Sequence, residues 1–113
     1  MKKVNEKELK FRNPDGSGPK YMIRGPSIDW GVFVLKPGQK MGVHGHLNTE
    51  ETFYFVAGSG KMIVNDHEHD ANTGDAFLVE KQEKHDIHNT GKVDLKFVFV
   101  KSPYLPEDKI EYK

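Results

Sequence analysis

The sequence predicts an all-β domain, built as an antiparallel sandwich or a small barrel. Short runs rich in β-branched and aromatic residues recur between residues 21 and 101, and turns made of Gly, Pro, Asn or Asp separate them. No part of that range carries a useful length of the 3.6-residue apolar repeat that indicates a helix. The 113 residues suit a single domain with one modest core.

The chain divides into three predicted parts. Residues 1–20 are polar and end in a loop rich in Pro and Gly, which predicts an N-terminal arm that is extended or poorly ordered alone. Residues 21–101 are predicted to form the barrel, and residues 102–113 a C-terminal tail packed on it. The clearest strand is 93–100, where β-branched and aromatic residues are densest. The other predicted strands are 21–24, 30–35, 41–46, 52–57, 61–64, 67–72, 76–79 and 85–89.

The charge balance restricts the partners. The 17 basic and 17 acidic residues cancel, so there is no electrostatic case for nucleic acid or an anionic membrane as a partner. Arg12 and Arg24 are the only arginines. Because Arg is the preferred bidentate partner of phosphate, a phosphorylated substrate is not favoured, and a small-molecule ligand of another kind is expected.

The absence of cysteine excludes disulfides and thiolate metal sites, so a metal site would have to use His, Asp and Glu. The first ten residues contain no apolar run of signal-peptide length. No stretch reaches the roughly 20 apolar residues of a membrane span. The sequence therefore predicts a cytoplasmic protein.

Three histidines and a carboxylate are candidate metal ligands. His44 and His46 are two residues apart, so their side chains share one face of a strand. Glu51 opens the following strand after a short turn, and His85 begins a later strand. Imidazole and carboxylate ligands suit divalent transition metals. The alternative on these residues alone is an ordinary surface pair of histidines.

The spacing around the histidine pair resembles the first motif of the cupin superfamily. That motif runs Gly, five residues, His-x-His, three or four residues, Glu, six residues, Gly. Here the same intervals separate Gly38, His44, His46, Glu51 and Gly58.

The second cupin motif is also matched in spacing. It runs Gly, five residues, Pro-x-Gly, two residues, His, three residues, Asn. Here Gly74, His85 and Asn89 occupy its Gly, His and Asn positions at the same intervals. Glu80 and Gln82 occupy the Pro and Gly positions. These two residues are expected to make the turn less preformed, but neither position belongs to the candidate ligands.

The resemblance implies a fold and a site. The implied fold is the antiparallel double-stranded β-helix, a jelly-roll barrel over residues 21–101. The implied ligands of one divalent transition metal (Mn, Fe, Ni, Co or Zn) are His44, His46, Glu51 and His85. Glu50 is the alternative carboxylate, but only Glu51 leaves the six-residue step to Gly58. Many single-domain cupins are homodimers, so a homodimer is expected.

Other side chains have two interpretations. Alternation turns Phe53, Phe55 and Ile87 inward, as a candidate wall of a substrate pocket or as plain core. No catalytic base is evident; Tyr54 and Glu80 are candidates without support, as is Glu50. The polar run 66–70 is interpreted as a solvated edge strand rather than a second metal site. His88 is expected on the surface or at an interface.

Three functions follow from these features. The first is a metal-dependent enzyme, dioxygenase-like or isomerase-like, acting on a small oxygenated molecule at the metal positions that the protein leaves open. The second is a non-catalytic cupin module that binds a small ligand or a sugar. The third is a metal-free cupin in which the histidines act as acid and base.

Overall fold

Two five-stranded antiparallel sheets face each other in the computed structural model, which describes residues 1–112. The first sheet has the strand order β1-β2-β9-β4-β7 and the second the order β10-β3-β8-β5-β6. The strands are β1 (Gly18–Arg24), β2 (Asp29–Leu35), β3 (His44–His46), β4 (Glu50–Ala57), β5 (Ser59–Val64), β6 (His67–Asn72), β7 (Ala76–Val79), β8 (His85–His88), β9 (Leu95–Ser102) and β10 (Lys109–Glu111). A short 3-10 turn, Glu6–Glu8, precedes them. The predicted all-β, jelly-roll architecture is confirmed.

Strand alternation determines which residues enter the space between the sheets. In β4, Glu51, Phe53 and Phe55 are buried, while the residues between them are exposed. In β9, Phe97 and Phe99 pair with Phe55 and Phe53 across the ladder and point to the same side. The inner face of the first sheet is therefore aromatic in its middle and charged at the Glu51 end.

The core is centred on Phe97, which is fully buried. Its ring stacks on Phe33 at 5.1 Å between centroids and lies 5.1 Å from Phe55 and 5.8 Å from Phe53. Such aromatic pairs add about 0.5–1.5 kcal/mol each beyond the burial of their area. Phe55 and Phe97 are enclosed in the core, whereas Phe33 and Phe53 border a cavity at the open end of the barrel.

The N-terminal segment folds back on the barrel. β1 begins at Gly18, three residues before the predicted boundary. The main-chain N–H of Arg12 donates to the carbonyl of Pro19 (3.0 Å), and Lys20 Nζ donates to the carbonyl of Glu6 (2.9 Å). These contacts bring residue 12 to the open end of the barrel.

Several other boundaries differ from the predicted strands by one to three residues, and three of the differences have a local cause or affect the site. β3 is limited to His44–His46, because Gly42 has a φ of +104° and its amide donates to the Asp86 side chain instead of to a ladder. β9 starts at Leu95, because residues 91–93 form a bend. β10 lies in the predicted tail, where Lys109 pairs with His46 and Glu111 with His44. Within residues 1–112, no helix is long and apolar enough to cross a membrane.

Candidate metal centre

The structure brings the four predicted ligands together inside the open end of the barrel. We call this group the His3Glu cluster; it comprises His44, His46, Glu51 and His85. One ligand atom from each residue lies within 4.8 Å of the others. All four side chains are buried, although three strands in two different sheets supply them.

Local backbone features fix the two histidines of β3. His44 pairs with His85 across the β3–β8 ladder, so both rings turn to the same side. Gly45 between the histidines allows close packing on the opposite face. A Cβ atom at Gly45 would lie 3.1 Å from the carbonyl oxygen of Glu83 and 3.3 Å from the Tyr112 ring. An alanine here would require the Glu83 carbonyl or the Tyr112 ring to shift by a few tenths of an ångström.

The turn with the unusual motif residues is closed by hydrogen bonds. Gln82 has a φ of +67°, the left-handed conformation that a glycine adopts without cost. A non-glycine residue pays roughly 1 kcal/mol there. The Gln82 amide donates to the carbonyl of His46 (2.6 Å), and the Glu80 amide donates to the Glu83 side chain (2.8 Å). Gln82 thus keeps the left-handed backbone conformation that the motif glycine would adopt. Its hydrogen bond to the His46 carbonyl links the turn to β3.

The three rings are held by backbone carbonyls. Nδ1 of His44 lies 3.0 Å from the carbonyl of Gly42, Nδ1 of His46 lies 3.0 Å from that of Asp108, and Nδ1 of His85 lies 3.4 Å from that of Glu83. A carbonyl only accepts hydrogen bonds, so the proton of each neutral ring belongs on Nδ1. Each Nε2 then carries a free lone pair directed into the cluster, which is the usual arrangement of metal-binding histidines.

The convergence of these nitrogens on a carboxylate favours a proton or a cation between them. Nε2 of His46 is 3.2 Å and Nε2 of His85 is 3.3 Å from Oε1 of Glu51. Within residues 1–112, the buried Nε2 of His85 has no hydrogen-bond partner of acceptable geometry. Unprotonated nitrogens facing a carboxylate repel it unless a proton or a cation lies between them. The donor set of three imidazoles and one carboxylate fits a divalent transition metal.

Burial and neighbouring charges keep these groups in their metal-binding protonation states. Burial, aided by the charge of His85, lowers the pKa of His44 to about 4. Burial alone would raise the pKa of Glu51, but the close contacts of its carboxylate with the His46 and His85 rings, together with the charge of Lys101, outweigh burial and lower this pKa to about 2. Near neutral pH, His44 is therefore neutral and Glu51 is ionised, as a metal requires.

The pKa of His44 predicts a pH-dependent stability of the metal-free protein. This pKa lies below its ordinary value of 6.5, so the unfolded chain binds more protons between pH 6.5 and 4. The free energy of unfolding should fall as the pH decreases through this interval. At about 1.4 kcal/mol per pH unit, the contribution of His44 is roughly 3 kcal/mol. Glu51 adds a further loss below pH 4.5.

Urea denaturation of EDTA-treated protein at several pH values would measure this effect. His44→Gln should flatten the dependence between pH 6.5 and 4, whereas His67→Gln, on the exposed strand β6, should leave it as in the parent. Equal pH dependence in the parent and in His44→Gln would contradict the prediction.

A cavity of about 280 Å³ opens above the His3Glu cluster, and His44, His46 and Glu51 form part of its wall. Phe53, a candidate pocket residue, also lines this central cavity. Phe55 and Ile87 do not line it, because they lie on the inner faces one step deeper and are fully enclosed in the core. Further apolar contacts to the cavity come from residues that the sequence did not single out, namely Phe33, Met41, Phe99, Leu105 and Pro106.

Several polar side chains of the cavity were also missed. They are Arg12, Tyr21, Arg24, Lys101 and Lys109. A signal existed for Lys101, which continues the inward alternation of Phe97 and Phe99. Lys101 was missed because it lies one residue beyond the predicted strand 93–100. No local signal existed for Arg12 or Lys109, which reach the cavity through long-range pairing.

The other polar candidates lie away from the cavity. Glu50 and Tyr54 are exposed on the outward side of β4, and Glu80 is exposed in a turn. The run 66–70 is exposed along β6, in agreement with a solvated edge. His88 Nε2 lies 2.8 Å from the buried carboxylate of Asp86.

The comparisons with known proteins agree with this fold and site. The cupin-domain family model matches residues 31–101, which contain the whole His3Glu cluster. The chain therefore belongs to the cupin family. A solved double-stranded β-helix protein from Klebsiella pneumoniae superposes with a TM-score of 0.85 over 100% of this chain and 99% of its own, at 17% identity, which shows the shared fold.

Two curated relatives are more similar in sequence. Protein SchB of Streptomyces halstedii is 36% identical over 76 residues, which are 67% of this chain and 55% of that protein. An oxalate-binding protein of Thermotoga maritima is 35% identical over 66 residues, 58% of this chain and 54% of that protein. The chain thus spans little more than half the length of these relatives.

Proposed function

We propose that the His3Glu cluster binds one divalent transition metal and that the protein is a metal-dependent enzyme acting on a small oxygenated molecule. The observation that carries this proposal is the convergence of three Nε2 lone pairs and the Glu51 carboxylate in a buried site. Bound there, Mn, Fe, Co, Ni or Zn would act as a Lewis acid that polarises a carbonyl, hydroxyl or carboxylate oxygen, and a redox-active metal would also support dioxygenase chemistry.

The chain itself would contribute positioning and exclusion of water. The backbone carbonyls behind the three rings orient the ligands before a metal arrives. Phe53 and Phe99 form an apolar wall beside the cluster, so a small molecule would leave bulk water on entering. The ring of Phe53 lies 5.6 Å from that of His85 and limits its movement. The proposed reaction is dioxygenase-like or isomerase-like.

The second candidate is a binding module without turnover, for a small ligand or a sugar. The relative from Thermotoga maritima bears the name oxalate-binding protein. Beyond the His3Glu cluster, the hydroxyl of Tyr21 is the one neutral proton donor on the cavity wall within residues 1–112, and it accepts a hydrogen bond from Lys101 (3.2 Å). A cavity with so few groups for proton transfer suits binding as well as catalysis.

Elemental analysis of protein purified without a histidine tag would test the metal. We expect about one equivalent of a transition metal, either as purified or after reconstitution with Fe, Mn, Ni or Zn. Less than a tenth of an equivalent after reconstitution would exclude the metal-dependent functions and favour the metal-free acid–base alternative.

Oxygen uptake by the metal-loaded protein would then separate an oxygenase from a binding module. The panel would contain diols, 1,3-diketones and thiols, because each offers oxygen or sulfur atoms to a metal. Consumption of oxygen with any member supports the oxygenase. Binding of a panel member by calorimetry with no oxygen uptake and no isomerised product would favour the binding module.

We also propose a homodimer, on the basis of an apolar patch on the outer face of the first sheet. Trp30 pairs with Val100, and Tyr54 pairs with Val98 on that face. Tyr54 and Leu78 are 49% and 57% exposed, respectively. Trp30, Val98 and Val100 are half-buried, and exposed apolar side chains beside them on one sheet face are typical of interaction sites. Light scattering after size exclusion would measure the mass, and a monomer mass would contradict the dimer.

The cytoplasmic location and the division into arm, barrel and tail stay predictions.

A further inference from the structure

The central cavity is positively charged in a protein whose net charge is zero. Its lining includes four cationic side chains, and Glu51 of the His3Glu cluster is its one carboxylate within residues 1–112. The cationic residues are Arg12, Arg24, Lys101 and Lys109. With a divalent metal bound, Glu51 would cancel half of the charge of the ion, so the cavity would be more positive still.

Two of the four cations are paired with carboxylates. A β-bulge between Tyr21 and Ile23 turns Arg24 to the inner face, opposite Asp29. There Nε and Nη2 of Arg24 donate to the two carboxylate oxygens of Asp29 at 3.1 and 3.0 Å. Lys109 Nζ lies 3.4 Å from the Glu111 carboxylate. These two residues supply little net charge to a ligand.

Lys101 lines the cavity and forms no ion pair within residues 1–112, although the buried carboxylates of Glu51 and Asp29 flank it in the two neighbouring strands. It pairs with Glu51 in the β4–β9 ladder, so its side chain projects from the inner face of the first sheet beside the His3Glu cluster. Its Nζ lies 5.2 Å from the ring centroid of Tyr21 and 5.5 Å from that of Phe99. Nζ donates one hydrogen bond to the Tyr21 hydroxyl and has two further N–H groups.

Arg12 is the second cation of the cavity without an anionic partner. The backbone bond from its N–H to the carbonyl of Pro19 anchors it at the mouth, and its side chain is exposed. Within residues 1–112, neither Arg12 nor Lys101 forms an ion pair. A half-buried ammonium and a guanidinium that flank one small cavity are complementary to an anion.

We propose that the central cavity binds a small carboxylate anion, with one oxygen directed at the His3Glu cluster and the negative charge held by Lys101 and Arg12. The contact between the carboxylate oxygen and a metal at the His3Glu cluster rests on the proposed function. The cavity volume lies at the lower limit of ligand pockets, roughly 300–1,000 Å³, which restricts the anion to a few carbon atoms. Phosphate is less suitable, because the other arginine is already committed to Asp29.

Malonate and malonamide are matched probes, since they have the same shape and differ in charge. Isothermal titration calorimetry at constant free Mn²⁺ should show malonate binding to the Mn-loaded protein at least tenfold more tightly than malonamide. Loss of a charged hydrogen bond in Lys101→Met should weaken malonate binding by about 10- to 100-fold and leave malonamide binding unchanged. Arg12→Gln should act in the same direction with a smaller effect, because Arg12 is exposed.

Controls separate this inference from the proposed function. Lys92→Met removes an exposed lysine outside the cavity and should bind malonate as the parent does. Both test variants should melt close to the parent and should bind Mn²⁺ at least as tightly, because each loses a positive charge near the ion. If the parent binds none of Mn, Fe, Ni and Zn, the proposed function fails, and titration of the metal-free protein with malonate still tests the two cations.

Three results would overturn the inference. They are equal affinity for malonate and malonamide, malonate affinity that neither Lys101→Met nor Arg12→Gln changes, and tighter binding of inorganic phosphate than of malonate. If the parent binds no metal, malonate is titrated into the metal-free protein instead. There, the inference would be overturned if malonate did not bind, or if neither substitution changed its affinity.

Discussion

Replacing Glu51 with Gln should reduce the affinity for a divalent transition metal by more than about 100-fold. Residues behind metal ligands typically contribute 10- to 100-fold in affinity, so a direct ligand should contribute more. Gln keeps the shape of Glu51 but removes the charge that faces Nε2 of His46 and His85 at 3.2 and 3.3 Å. Calorimetric titration with Mn²⁺ or Zn²⁺ would measure the change.

The adjacent residue provides the matched control for this experiment. Glu50→Gln makes the same chemical change one position earlier in β4, where the side chain is exposed and points away from the cluster. It should alter the metal affinity by less than about threefold, because the screened interaction of exposed charges is worth only 0–1 kcal/mol. Equal losses in both variants, or a loss in Glu50→Gln alone, would identify a different carboxylate as the ligand.

Phe97→Ala should lower the free energy of unfolding by about 3–5 kcal/mol. The ring is fully buried and contacts Phe33, Phe53 and Phe55, so its removal leaves a cavity in the core. Domains of this size are stable by only about 5–15 kcal/mol, so the variant should melt many degrees below the parent. Urea denaturation monitored by circular dichroism would give the difference.

Leu78→Ala is the control for the core substitution. Leu78 is 57% exposed on the outer face of β7, and its truncation should cost less than about 1 kcal/mol in the monomer. A cost below 1 kcal/mol for Phe97→Ala would show that the core does not depend on this ring.

The candidate metal site was predictable because its signal is local. His44 and His46 needed only the two-residue period of a strand, and the fixed intervals of the two motifs added Glu51 and His85. Phe55 and Ile87 show the limit of this reasoning. The alternation of the strands correctly predicted that their side chains face inward. It did not predict that they lie below the cavity, because that depends on how closely the two sheets pack.

The cavity wall was less predictable, because contacts between distant parts of the chain form it. Arg12 arrives through the backbone bond to Pro19. Arg24 faces inward only because a bulge shifts the register of β1 by one residue. β10 lacks an apolar alternation and is a strand only through its pairing with β3. The few arginines were interpreted as evidence against an anionic phosphorylated substrate, yet both of them line the cavity.

The carbonyl that orients His46 belongs to Asp108, in the segment that leads into the last strand. The carboxylate of Asp108 also accepts a hydrogen bond from the Asn48 amide, so the same residue fastens the chain end to the turn after β3. Thermodynamic coupling is reciprocal: an ion that favours one orientation of the His46 ring also favours the docked chain end. Binding of a metal at the His3Glu cluster would therefore favour the docked position of β10, and release of β10 from β3 would weaken the metal site.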